Sequence, residues 1–240
     1  MKSDVVATTA IFGTMLVIEV FCWYVRFAKD IPLAIFGITP IPVLACLCYM
    51  FWYQSNTIRT KFLMVAFLFD FIADNLFSFE DVLSYDNGQI CVIVGVLCFL
   101  IGHICNIIAF SININYHSML SIPYVIIFSG ISFVILSNKT SLIVWGFLLY
   151  FISLMIVSWR SFAHFYDNRN RISIMPVIGY FLFIISDSVN SLTRFNIIYF
   201  PSLFIEELAI LVPYFLAQIF ISYFGIKSLN NTKNYDLIND

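Results

Sequence analysis

The stretch Gly179-Tyr-Phe-Leu-Phe-Ile-Ile-Ser-Asp187-Ser-Val-Asn190-Ser-Leu-Thr-Arg194 decides the fold. It belongs to an apolar run long enough to cross a bilayer, and Asp187 sits well inside it. A carboxylate in hydrocarbon is costly to keep, so an ionisable group there marks a functional site by default. A second run, Phe67-Leu-Phe-Asp70-Phe-Ile-Ala-Asp74-Asn-Leu-Phe77, repeats the feature. Two helices that face each other, with Asp74 and Asp187 as the chemical pair, are the expectation.

Composition agrees with a membrane solvent. Of the 240 residues 61% are hydrophobic and only 11% charged, and the mean hydropathy is +0.94. A soluble domain carries about a quarter charged residues. The 27 Phe and 13 Tyr suit lipid-facing helices and interfacial belts. No basic patch suggests nucleic acid. The six cysteines (Cys22, Cys46, Cys48, Cys91, Cys98 and Cys105) all fall in apolar runs, where they act as small hydrophobes; neither disulfides nor a zinc site is expected.

Counting spans of roughly 20 apolar residues gives eight, at about 5–27, 31–53, 61–79, 89–111, 119–137, 141–160, 173–194 and 205–227. The fold class is therefore all-α, a polytopic membrane bundle of about eight transmembrane helices. Short connections such as Tyr85-Asp-Asn-Gly88 separate the spans. Residues 1–229 read as one transmembrane domain, and 230–240 as a polar, disordered tail. With eight spans both termini share a side. That side holds Lys2, Arg59, Lys61, Arg160, Arg169, Arg171, Lys227 and Lys233, against Arg26, Lys29, Lys139 and Arg194 on the other. Eight against four places both termini in the cytoplasm.

Polar residues can then be placed by depth. Asp74 on the third span and Asp187 on the seventh fall at nearly the same level, and Glu19 on the first reaches a similar one. Asp70 lies one turn from Asp74 on the same face; it pairs with Asp74 or faces water. Helical spacing puts Asn190 and Arg194 on one stripe with Asp187, and Glu207, Tyr214 and Gln218 on another. Helix glue ordinarily uses Ser, Thr, Asn or Gln, so two acids at one depth favour chemistry over glue. Glu19 is evenly divided between the two. His103 is the only histidine inside a span, and reads as a hydrogen-bond partner. Without a His-x-x-x-His pair no metal is expected. Arg194 is equally a snorkelling interfacial cation or a phosphate contact.

Four motifs in order resemble one known family, the YhhN-like lysoplasmalogenases. They are Ala73-Asp74, Gly102-His103, Ser186-Asp187 with Arg194-Phe195, and Tyr214-Phe-Leu-Ala-Gln218. The sequence departs from the family pattern at Thr39, Asp70 and Asn106. The resemblance implies an ether hydrolase that cleaves the vinyl ether of a lysophospholipid substrate in the bilayer. Its products would be a fatty aldehyde and glycerophosphoethanolamine or glycerophosphocholine, with no cofactor. It implies an endoplasmic reticulum membrane in a eukaryote and an inner membrane in a bacterium. Asp74 and Asp187 would be the catalytic acid and base. His103, Asn190, Arg194, Tyr214, Gln218, Glu19 and Asp70 would bind or orient. Chemistry independently suits such a pair: protonating a vinyl ether gives an oxocarbenium ion, and paired carboxylates divide proton donation from cation stabilisation. A lipid-binding or transport protein without chemistry would use the same cavity.

Overall fold

The computed structural model describes residues 2–28, 40–53, 57–80, 83, 85–138 and 142–231. Among them every regular element is helical: α1 (Lys2–Ala28), α2 (Pro40–Tyr53), α3 (Ile58–Glu80), α4 (Tyr85–Ser111), α5 (Ile122–Asn138), α6 (Leu142–Asn168), α7 (Ile174–Arg194) and α8. The last runs Leu203–Ile219, widens through a π turn at Phe220–Phe224 and continues over Gly225–Asn231. Seven of these helices are long and apolar enough to cross a membrane, and α2 is a shorter apolar helix of 14 residues. The protein is a multi-pass helical membrane protein.

Three expectations on boundaries change. The sixth span reaches Asn168, not 160, so His164 lies within α6 and is fully buried. Tyr85-Asp-Asn-Gly88 is the first turn of α4 and not a connection; Asp and Asn are also favoured at helix starts. The last helix reaches Asn231, because its polar end packs against α7's entry: Ser228 Oγ donates to Ser173 Oγ at 2.9 Å. Residues 31–39 of the second span, Thr39 included, and the tail beyond Asn231 lie outside the described residues.

Burial sorts the helices into layers. In α6, 72% of the spanning window is buried, against 6% in α5. Thus α6 is central and α5 is a lipid-facing outer element. Large apolar side chains such as Val17, Phe21, Phe133, Trp145 and Phe181 point outward, as a hydrocarbon solvent requires. The core is aromatic and aliphatic, built around Phe67, Phe110, Phe151, Tyr180 and Phe183.

Local chemistry fixes the helix ends that matter for the site. Past Arg194 the chain turns in a Schellman motif. Asn196 takes a left-handed φ of 56°, its N–H bonds Thr193 O at 2.8 Å, and Ile197 N–H bonds Leu192 O at 2.8 Å. Asn tolerates that conformation better than other non-glycine residues. Ser202 caps α8, its Oγ accepting from Ile205 N–H at 3.3 Å. Inside α8, Pro213 removes one backbone donor, and Ser186 Oγ from α7 donates to the Ile210 carbonyl at 2.8 Å in that same turn. Below this, α7 and α8 press together at Gly179, where a Cβ would sit 2.9 Å from Ile221 Cγ1 and 3.1 Å from Ala217 O. Only a glycine admits so close a backbone approach.

Candidate active site

The helices α3, α4, α6, α7 and α8 line a partly open cavity of about 210 Å³. At one end it is lined by Asp74 from α3, Asp187 from α7, Tyr150 from α6 and Tyr214 from α8. At the other it is lined by Glu80, Arg194 and Glu207. Phe77, Phe99 and Phe147 form apolar walls between them. Acids from residues more than a hundred positions apart thus share one hollow within the bundle.

Each aspartate is held by a tyrosine. Tyr214 Oη donates to Asp74 Oδ2 at 2.7 Å, and Tyr150 Oη donates to Asp187 Oδ2. Both bonds engage Oδ2, so neither commits Oδ1 to the tyrosine. Tyr150 is itself fixed: its ring stacks on His103 with centroids 4.8 Å apart. His103 Nδ1 lies 2.9 Å from Ser153 Oγ, and Ser153 Oγ donates to the Tyr150 carbonyl at 2.6 Å. Because the serine hydrogen is committed there, Nδ1 is the donor and carries the imidazole proton.

Of the residues expected at the site, Asp74, Asp187, Asn190, Arg194 and Tyr214 line the cavity, and four others do not. His103 is fully buried behind Tyr150. Gln218 is fully buried beside Asp70 and Tyr214. Glu19 is buried on α1, away from the lining. Asp70 is buried from water; it lies near Asp74 and packs against α4, where a Cβ on Gly102 would sit 2.6 Å from its Oδ1. That contact explains why glycine precedes His103. Arg194 is no free snorkelling cation. Its Nη1 donates to Glu80 Oε1 at 2.9 Å and its Nη2 to Oε2, a bidentate pair joining the ends of α3 and α7.

Sequence reasoning missed Tyr150 and Glu80. Glu80 carried a signal, since the third and seventh spans run in the same direction and end in opposite charges. Tyr150 carried none, being one aromatic among many. Among the described residues no three His, Cys, Asp or Glu side chains converge as a metal-ligand set.

The helices and the acid-lined hollow define a polytopic membrane protein with an internal polar site. The chain belongs to the YhhN family, whose family model matches residues 34–224. That range takes in every residue lining the cavity and leaves out Glu19 and Arg26 on α1. No curated protein and no solved structure gives a significant match.

Proposed function

We propose that the protein is a lysoplasmalogenase, an ether hydrolase that uses Asp74 and Asp187 on the vinyl ether of a single-chain phospholipid. The observation that carries this is the meeting of the two aspartates in one cavity, each oriented by a tyrosine. One carboxyl group delivers a proton to the β-carbon of the vinyl ether, and the double-bond electrons form the new C–H bond. The resulting oxocarbenium ion is stabilised by the second, anionic carboxylate. Water adds to the cationic carbon and loses a proton to that carboxylate. The hemiacetal then collapses to a fatty aldehyde: its hydroxyl proton passes to the first carboxylate, and the second carboxyl group protonates the departing glycerol oxygen, which leaves as an alcohol and resets the pair. The division of labour is the one used by paired carboxylates at glycosidic bonds.

Size supports a lipid only partly enclosed. The cavity, at about 210 Å³, is smaller than pockets that surround whole drug-sized ligands, roughly 300–1,000 Å³. The head-group arm of a lysolipid is held inside along the phenylalanine walls, and its chain leads away from the aspartates toward the bilayer. The bias of Lys and Arg puts both termini in the cytoplasm, with the membrane that of the endoplasmic reticulum or a bacterial inner membrane.

The test is incubation of the purified chain with a lysoplasmalogen in D₂O, with the saturated alkyl ether as control. Aldehyde carrying one deuterium at C2, from the vinyl ether alone, is the expected product. Free fatty acid instead of aldehyde points to ester hydrolysis. Tight binding without product points to a lipid carrier.

A further inference from the structure

The hydrolytic step leaves the charged end of the cavity without a role. Glu80 and Arg194, the last residues of α3 and α7, form their two-point pair there. The Arg194 guanidinium also lies over the rings of Phe77 and Phe147, 5.8 Å from each centroid. Glu207 lines the same end and meets Arg26 at 3.5 Å. The Arg194 and Glu80 side chains are 22% and 24% exposed, so the pair is not sealed off.

Spacing along the helices sets this layer apart from the aspartates. Asp187 to Arg194 and Tyr214 to Glu207 each span seven residues, roughly 10 Å at 1.5 Å per residue. Asp74 to Glu80 spans six, roughly 9 Å by the same rise. The reacting layer and the charged layer are thus separated by the reach of a glycerol-phosphate-amine arm.

We infer that Glu80 and Arg194 read a zwitterionic head group: the arginine fork takes the phosphodiester, and the glutamate it releases takes the ammonium. A guanidinium suits a two-oxygen anion whether carboxylate or phosphate. Breaking a partly buried pair normally strands a charge. A zwitterion supplies both replacements at once; an uncharged ligand supplies neither, and a phosphate monoester supplies no cation for Glu80. Phe77 and Phe147 keep the guanidinium in place while its partner changes. This inference rests on the lysoplasmalogen reading for the position of the reacting bond, and not for head-group binding itself.

The experiment measures calorimetric binding to the full chain in detergent. The probes are three saturated 1-O-alkyl lipids with no vinyl ether: an ethanolamine phosphodiester, a phosphate monoester and an alkylglycerol. Wild type binds the zwitterion best. Glu80→Gln weakens the zwitterion by about tenfold or more while sparing the monoester. Arg194→Gln weakens both phosphates and spares the alkylglycerol. Glu80→Gln with Arg194→Gln removes both charges of the pair, serves as the folded variant, and binds all three alike. Equal binding of the three probes by wild type, or equal losses across them in the variants, overturns the inference. No probe can be hydrolysed, so the two readings fail separately. The expected pattern without aldehyde release from lysoplasmalogen refutes the hydrolase alone. A flat pattern with aldehyde release intact refutes the head-group reader alone.

Discussion

Tyr214 reaches Asp74 across 140 positions of sequence and donates its hydroxyl hydrogen to Oδ2 at 2.7 Å. The bond ties α8 to α3 at the floor of the cavity. Tyr150 does the same for Asp187, tying α6 to α7. A donor fixed on one oxygen limits how the carboxyl group can turn, which is how an acid is kept aimed at one carbon.

Replacing either tyrosine with phenylalanine removes that donor and leaves the ring. Hydrogen bonds to charged groups contribute about 1.5–3 kcal/mol. Tyr150→Phe and Tyr214→Phe should each lower the rate of aldehyde release by about 10- to 100-fold. KM for the lysolipid should change little, since neither hydroxyl holds the head group. A rate unchanged in both variants contradicts the positioning role.

His103 acts one step further out. Ser153→Ala removes the partner of His103 Nδ1 and leaves a buried donor unsatisfied. The expected stability loss is about 1–3 kcal/mol, read as a lower midpoint in detergent unfolding. Turnover should fall less than in Tyr150→Phe, because the stacked ring stays. A larger loss of turnover than in Tyr150→Phe would place His103 nearer the chemistry than its burial allows.

Gly179→Ala tests the contact that seats α7 on α8. The added Cβ meets Phe220 Cβ at 3.0 Å and the Ala217 carbonyl at 3.1 Å, atoms that cannot swing aside. Overpacking of this kind costs about 1–3 kcal/mol. Thermal stability should drop, measured by loss of monodisperse protein on heating. An unchanged midpoint would mean that the helices lie further apart.

At the opposite end from Arg194, Arg160 pins the chain between α4 and α5. Its Nε donates to Ser111 Oγ at 2.8 Å, Nη1 to Asn115 O at 3.1 Å and Nη2 to Ile114 O at 3.1 Å. Arg160→Met should destabilise by at least about 2 kcal/mol and expose residues 112–117 to protease. Turnover per folded molecule should be preserved, because none of these groups lines the cavity.

How much of this was legible beforehand varies with the kind of signal. Hydrocarbon imposes a strong rule on composition, so the helical class followed from apolar runs alone, and among the described residues seven of the eight expected spans are helices long enough to cross, with α2 shorter. Depth was readable because rise per residue is constant, and Asp74 and Asp187 do line one cavity. Facing was harder. Glu19 has similar depth yet lies off the lining, because depth does not fix the azimuth of a helix. Asp70 shares a face with Asp74 but turns against Gly102, a choice made by the missing Cβ on a neighbouring helix. The longer α6 was hidden because His164 and Arg160 look like an interface from sequence. In the structure His164 is buried against Arg59 and Ser228, at 2.9 and 2.8 Å.

The most direct measurement compares aldehyde release from lysoplasmalogen by wild type, Asp74→Asn and Asp187→Asn, each verified as folded in detergent. A proton donor and a cation stabiliser working as a unit require each single variant to lose about 100-fold or more, with the double variant little worse than either. Turnover near wild type in either folded variant would contradict catalysis by the pair.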